Sequence, residues 1–268
     1  MPKISAKPYR FIDFKISSEY LKREVQCRIF LNEKHNQDLK SDLLLLNDGQ
    51  DQEALNLEKT LNNYQDNLGQ LVVVTINANN DRINEYGTAK QPDYMNRGNK
   101  ADLYQDFIVK ELLPWIYENQ LPKTQVKQTV FAGFSLGGLS AMDIAWNNQQ
   151  IFDKVGVFSG SFWWRSKAFQ EGFDEKNDRI MHQNIKKGRY QNNQSYWFEA
   201  GTEDETSDRN NNGVIDSIDD TLDIIKELKK KNVESTKISY HEINGGKHNF
   251  ETWSKAFPVF LEWAFRKP

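Results

Sequence analysis

A single cysteine in 268 residues leaves no partner for an internal disulfide, so nothing covalent staples this chain. Cys27 lies in "VQCRIF", an apolar alternating run that reads as a buried strand and a structural thiol. Neither sign of charge dominates: 35 Lys and Arg stand against 38 Asp and Glu, for a net charge of −3. That balance excludes a broad basic surface for nucleic acid and a polybasic patch for a membrane. No wholly apolar run exceeds the four residues of "LLLL" at 43–46, far short of a bilayer span. The opening "MPKISAKPYR" lacks the apolar core of a signal peptide. It predicts a cytoplasmic protein, or a periplasmic or secreted one if a leader has been removed. There is no internal repeat and no Pro/Gly/Ser linker, which predicts one domain over residues 1–268.

What is present can build a large core: 38% hydrophobic residues, with 7 Trp, 10 Tyr and 16 Phe. "YRFIDFKI" (9–16) and "EVQCRIFL" (24–31) alternate like an antiparallel pair. "DLLLLN" (42–47), "QLVVVTINA" (70–78), "QTVFAG" (128–133), "KVGVFSG" (154–160), "SYWFEAG" (195–201) and "KISYHEI" (237–243) read as further strands, several buried on both faces. Helical spacing marks 101–119, 220–232 and 251–265. The alternation predicts an α/β fold: a mostly parallel central sheet, an antiparallel N-terminal edge, and helices on both faces.

Within that pattern "TVFAGFSLGGLSAM" places Ser135 between a buried strand and a helix, in a G-x-S-x-G turn. Gly133 and Gly137 relieve crowding in such a turn, and Gly138 lets the helix pack closely. A serine there stands at the start of a helix, where free N–H groups and the dipole favour a developing negative charge. A nucleophilic serine needs a base and the base an orienting acid, following in the order serine, acid, histidine. Of His35, His182, His241 and His248, only His248 lies in a loop after the last strand, in "NGGKHNFETW". The loop after "SYWFEAG" reads "GTEDETSD"; Asp204 is the predicted acid and Glu203 the alternative. "LLLLNDGQD" supplies the second oxyanion donor: Gly49 turns the backbone so that the N–H of Gln50 joins that of Leu136.

Taken together, "LLLLNDGQ", "FAGFSLGG", "VFSGSFWW", "FEAGTEDE" and "GGKHNFETW" resemble the putative-esterase family of α/β hydrolases over about residues 20–265. That family includes enterochelin (siderophore) esterases, feruloyl esterases, esterase D-type S-formylglutathione hydrolases and mycolyltransferases. The resemblance implies an α/β-hydrolase fold with Ser135 as nucleophile, Asp204 as acid, His248 as base, and Gln50 and Leu136 as oxyanion donors. Many members carry His-Gly in the oxyanion loop; Asp48-Gly49 here looks closer to the siderophore-esterase branch.

Around the serine, "SGSFWWRS" offers Trp163 and Trp164 as a flat wall for an aromatic or sugar moiety, and Trp253 adds another. In the long polar stretch 77–102, Tyr86, Tyr94 and Arg97 are candidates for substrate contact. "DRNNNGVIDSID" (208–219) follows a calcium-loop pattern, with Asp208, Asn210, Asn212, the Val214 carbonyl, Asp216 and Asp219 at the ligating positions. An ion there would be structural; the predicted chemistry requires no cofactor. The expectation is a serine carboxylic ester hydrolase acting on a small-molecule aromatic, siderophore or carbohydrate-linked ester. An acyltransferase on the same fold and a non-catalytic glycan-binding relative remain open, as does the oligomeric state.

Overall fold

The computed structural model describes residues 9–32, 39–191 and 193–267; His35 lies outside them. Its organising element is one eight-stranded sheet in the order β1-β2-β4-β3-β5-β6-β7-β8. The strands are β1 (Tyr9–Ser18), β2 (Arg23–Asn32), β3 (Ser41–Asn47), β4 (Leu71–Ile76), β5 (Val126–Phe134), β6 (Lys154–Phe158), β7 (Ser195–Glu203) and β8 (Ile238–Lys247). β1 pairs antiparallel with β2, and β2 with β4; from β4 through β8 every pairing is parallel.

Period-two alternation divides the four leucines of β3 between two cores. Leu43 and Leu45 join one buried cluster with Val72 and Val74, while Leu44 and Leu46 join the other with Val73. Each cluster is closed by helices. In chain order these are α1 (Leu57–Tyr64), α2 (Arg82–Glu85), α3 (Ala101–Asp106), α4 (Leu113–Asn119), α5 (Leu136–Asn147), α6 (Glu175–Asp178), α7 (Ile180–Lys187), α8 (Asp216–Lys230) and α9 (Phe250–Phe265). Leu57 and Leu61 of α1 pack with Phe257, Phe260 and Leu261 of α9 on one face. The opposite cluster takes residues of α3, α4, α5, α7 and α8. Helices therefore cover both faces, as parallel strands buried on both sides require.

Two local features differ from the periodicity. The single helix expected over 101–119 contains a π-helical turn at Phe107–Leu112 between α3 and α4. α8 starts at Asp216 rather than 220. No helix among the described residues is long and apolar enough to cross a membrane.

Candidate active site

β5 ends at Phe134 and α5 starts at Leu136, so strand turns into helix across Ser135 alone. That reversal holds Ser135 at φ 53° and ψ −122°, which L-residues rarely occupy. Its N–H donates to the Phe158 carbonyl at 2.8 Å, and its carbonyl accepts from Gly138 and Leu139, each at 3.1 Å. A side chain at Gly137 would meet Asp48 Oδ2 at 2.5 Å, and one at Gly133 would run into the Gly137 carbonyl. The turn closes only on glycine at these positions.

The loop between β8 and α9 brings His248 over the serine, with Nε2 2.8 Å from Ser135 Oγ. Trp253 supports the imidazole edge-on, ring centroids 5.1 Å apart. Burial lowers the His248 pKa; the Asp204 carboxylate opposes that shift and the Arg82 guanidinium reinforces it. Asp204 lies just past β7, where Oδ2 accepts the Gly201 N–H at 3.1 Å. Its Oδ1 is buried, with no hydrogen-bond partner among the described residues. Burial raises the Asp204 pKa against the Ser159 hydroxyl, the Gly201 N–H and the His248 charge. Glu203, the alternative acid, is exposed beside Lys247. The other two described histidines lie elsewhere. His241 belongs to β8, and His182 is buried against the Asp220 carbonyl; burial and the Arg179 charge lower its pKa to about 3, although that carbonyl raises it.

After β3, Asp48 turns the chain at φ 61° into a short 3-10 turn over Gly49–Asp51. Arg82 grips the Asp48 carboxylate with two bonds, Nε to Oδ1 at 2.6 Å and Nη2 to Oδ2 at 2.8 Å. The Asp48 N–H donates to the Tyr86 hydroxyl at 3.3 Å. Asn47 donates through Nδ2 to the Gly137 carbonyl at 2.8 Å, and accepts from the Tyr104 hydroxyl at 2.6 Å. These bonds tie the 47–51 loop to the serine turn. Among the described residues neither the Gln50 N–H nor the Leu136 N–H donates to a backbone carbonyl. Asn47, Arg82 and Tyr104 were not expected to serve the site, and Tyr86, expected as a substrate contact, instead holds the Asp48 N–H.

The expected aromatic wall is corrected at two positions. Trp164 is 0% exposed and packs beneath Gly87 and Gly98, so it has no face to offer a ligand. Trp253 is also buried, its Nε1 donating to Ser159 Oγ at 2.9 Å, and supports His248 from below. Tyr86 is buried with its hydroxyl on Asp48, which removes it from the surface. Trp163 stays half-buried, with the Arg97 guanidinium 5.3 Å from its ring centroid; Arg97 itself pairs with Asp93. Trp163, Arg165, Phe169, Phe173, Glu205 and Arg209 line a cavity of about 200 Å³ next to the Asp204 loop. Two larger hollows, of about 580 Å³ each, have linings that do not include Ser135.

In the 208–219 loop, Asp208 accepts from Asn212 N–H at 3.1 Å and Gly213 N–H at 2.8 Å. Asn210 and Asn212 both donate to Asp219 Oδ2, at 2.9 and 2.7 Å. Asp208, Asn210, Asn212 and Asp219 are thus gathered with Val214 in one turn, with Gly213 at φ 86°. Asp216 departs from the expected ligand set: it opens α8 and its carboxylate accepts the Arg209 N–H at 2.9 Å. Among the described residues no group of three or more His, Cys, Asp or Glu is placed to hold a metal ion.

A model of the family described as Putative esterase matches residues 18–264. The Bacillus subtilis (strain 168) protein YbbA is 25% identical over 207 residues, covering 76% of each chain. Among solved structures, a ferulic acid esterase superposes with a TM-score of 0.68 at 15% identity, covering 96% of this chain and 98% of its own. The enterobactin esterase FES from Shigella flexneri also gives 0.68, at 18% identity, covering 97% of this chain but 59% of the longer protein. Both share the α/β-hydrolase architecture described above.

Proposed function

This chain belongs to the Putative esterase family, and from that membership we propose that it cleaves a carboxylic ester through an acyl-enzyme on Ser135. The observation that carries the proposal is the 2.8 Å approach of His248 Nε2 to Ser135 Oγ on a strained strand-to-helix turn. Nε2 takes the hydroxyl proton as Oγ attacks the ester carbonyl. The buried, unpartnered Oδ1 of Asp204 is assigned to the Nδ1–H of His248, where it fixes the tautomer and stabilises the imidazolium. The oxyanion is assigned to the N–H groups of Gln50 and Leu136, the second at the N-terminus of α5. Collapse expels the alcohol, protonated by His248, and water then repeats the sequence to free the acid.

The substrate proposed is an ester bearing an aromatic, siderophore-like or carbohydrate group. Trp163 beside Arg97, and the cavity it shares with Arg165 and Phe169, support an aromatic moiety next to the Asp204 loop. For the 208–219 loop we propose a structural calcium ion held by Asp208, Asn210, Asn212, Asp219 and the Val214 carbonyl. No step of hydrolysis passes through it.

The test is hydrolysis of p-nitrophenyl acetate and butyrate by the wild type and by Ser135→Ala at matched folding. A loss of roughly 10³-fold or more is expected in the variant, with a fluorophosphonate probe labelling only the wild type. Equal rates in the two proteins would overturn the serine mechanism. Acyl transfer to an added alcohol that outpaces hydrolysis would reassign the reaction to an acyltransferase.

A further inference from the structure

Behind the serine and histidine lies a carboxyl group that the mechanism above does not use. Glu199, in the middle of β7, is 0% exposed. Its strand neighbours are Phe158 of β6 and His241 of β8. Directly above it, Ser159 adopts φ 44° and donates its N–H to the Glu199 carbonyl at 2.8 Å. The Ser159 hydroxyl is a junction. Its Oγ accepts from Trp253 Nε1 at 2.9 Å and lies 3.4 Å from Glu199 Oε2, and the hydroxyl favours the ionised form of Asp204.

A hydroxyl has one proton to give and two lone pairs. Trp253 fills one lone pair. If Glu199 were ionised, two carboxylates would compete for the single Ser159 proton, and Glu199 Oε1, buried and without a hydrogen-bond partner, would carry uncompensated charge. A protonated Glu199 removes the conflict: it donates into the second lone pair, and the Ser159 proton is free for Asp204. Building on the serine-esterase reading, we propose that Glu199 is a protonated positioning residue that, through Ser159, directs a hydrogen bond onto Asp204 and fixes Trp253 beneath His248.

The groups around Glu199 agree with a neutral acid. Asp204 faces it from the loop after β7, and Tyr240 and His241 from β8. β6 contributes Phe158, the residue just after it is Ser159, and α9 contributes Trp253. Among the described residues no Lys or Arg pairs with it. Burial and the Asp204 charge push its pKa up to about 8, against the Ser159 hydroxyl and N–H, which lower it. Above that pH the Glu199 carboxylate accepts the Ser159 hydrogen bond, and Asp204 keeps only the Gly201 N–H.

The experiment is the pH profile of kcat, with KM followed separately, for wild type, Glu199→Leu and Glu199→Gln. Leucine keeps the volume and removes the donor, and should lower kcat roughly 10-fold at neutral pH, the size expected for an orienting partner. Glutamine keeps a donor at every pH; it should restore most of that loss and abolish the alkaline decline expected of the wild type near pH 8. An infrared carboxylic-acid C=O band in the wild type at neutral pH, absent from Glu199→Gln, should accompany this. A wild-type profile without an alkaline limb, an unchanged limb in Glu199→Gln, or a missing band would each overturn the proposal. The band is measured on the wild type, so it decides even where a variant fails to fold. Activity surviving in Ser135→Ala would instead sink the serine reading, an outcome distinct from all of these.

Discussion

Burial and the Arg82 guanidinium together outweigh the Asp204 carboxylate at His248, so its imidazole protonates below the ordinary histidine range. The base acts only when neutral. Activity should therefore fall on the acid side through a midpoint below about 6.5. Arg82→Gln removes one of the two depressing influences and should move that midpoint upward, while kcat falls because Asp48 loses its clamp. The pH dependence of kcat/KM reads both effects, and an unmoved midpoint would remove Arg82 from the electrostatics of the site. Residues at this scale were unequally legible. Ser135, Asp204, His248, Gln50 and Leu136 stand in short motifs whose glycines and strand ends announce a turn. Asn47, Arg82, Tyr104, Ser159 and Glu199 act through partners between 34 and 94 positions away, and local pattern does not carry such pairs. Trp164 shows the converse: an aromatic next to the serine suits a wall or a core equally, and only packing under Gly87 and Gly98 decided for the core.

Among the elements, the loop after β3 is the one whose shape most directly bears on the proposed chemistry. A Cβ at Gly49 would lie 2.7 Å from Asn77 Oδ1, 2.8 Å from Thr75 Cβ and 2.9 Å from Ile76 N, two of them fixed parts of the neighbouring strand. Gly49→Ala should displace the Gln50 N–H and lower kcat by about 10²-fold, the scale of one lost oxyanion donor, with the circular dichroism spectrum unchanged. Wild-type kcat in that variant would show that Gln50 does not face the oxyanion. The strands were readable in sequence because their apolar runs are uninterrupted and β-branched. Their order was not: β4 lies between β2 and β3, a choice made by side chains meeting across the sheet. The π turn between α3 and α4 escaped because apolar spacing stays continuous through it. α8 starts early because Asp216 takes the Arg209 N–H at its first turn.

For the molecule as a whole, the calcium proposal is a statement about stability. An ion bound by the native loop and not by the unfolded chain shifts the whole folding equilibrium, and at a hundredfold excess over Kd should raise Tm by roughly 5 °C. A chelator should reverse the rise, and Asp208→Ala should not show it. Identical melting in calcium and in chelator would leave the loop held by its own Asp208 and Asp219 hydrogen bonds alone. Stability and activity meet again at Ser135. Its backbone conformation is one that glycine adopts without strain, so the fold is more comfortable with the residue that would abolish the proposed chemistry. A lineage selected only for persistence would drift toward glycine there. On the proposed mechanism, a serine at that position trades robustness for turnover.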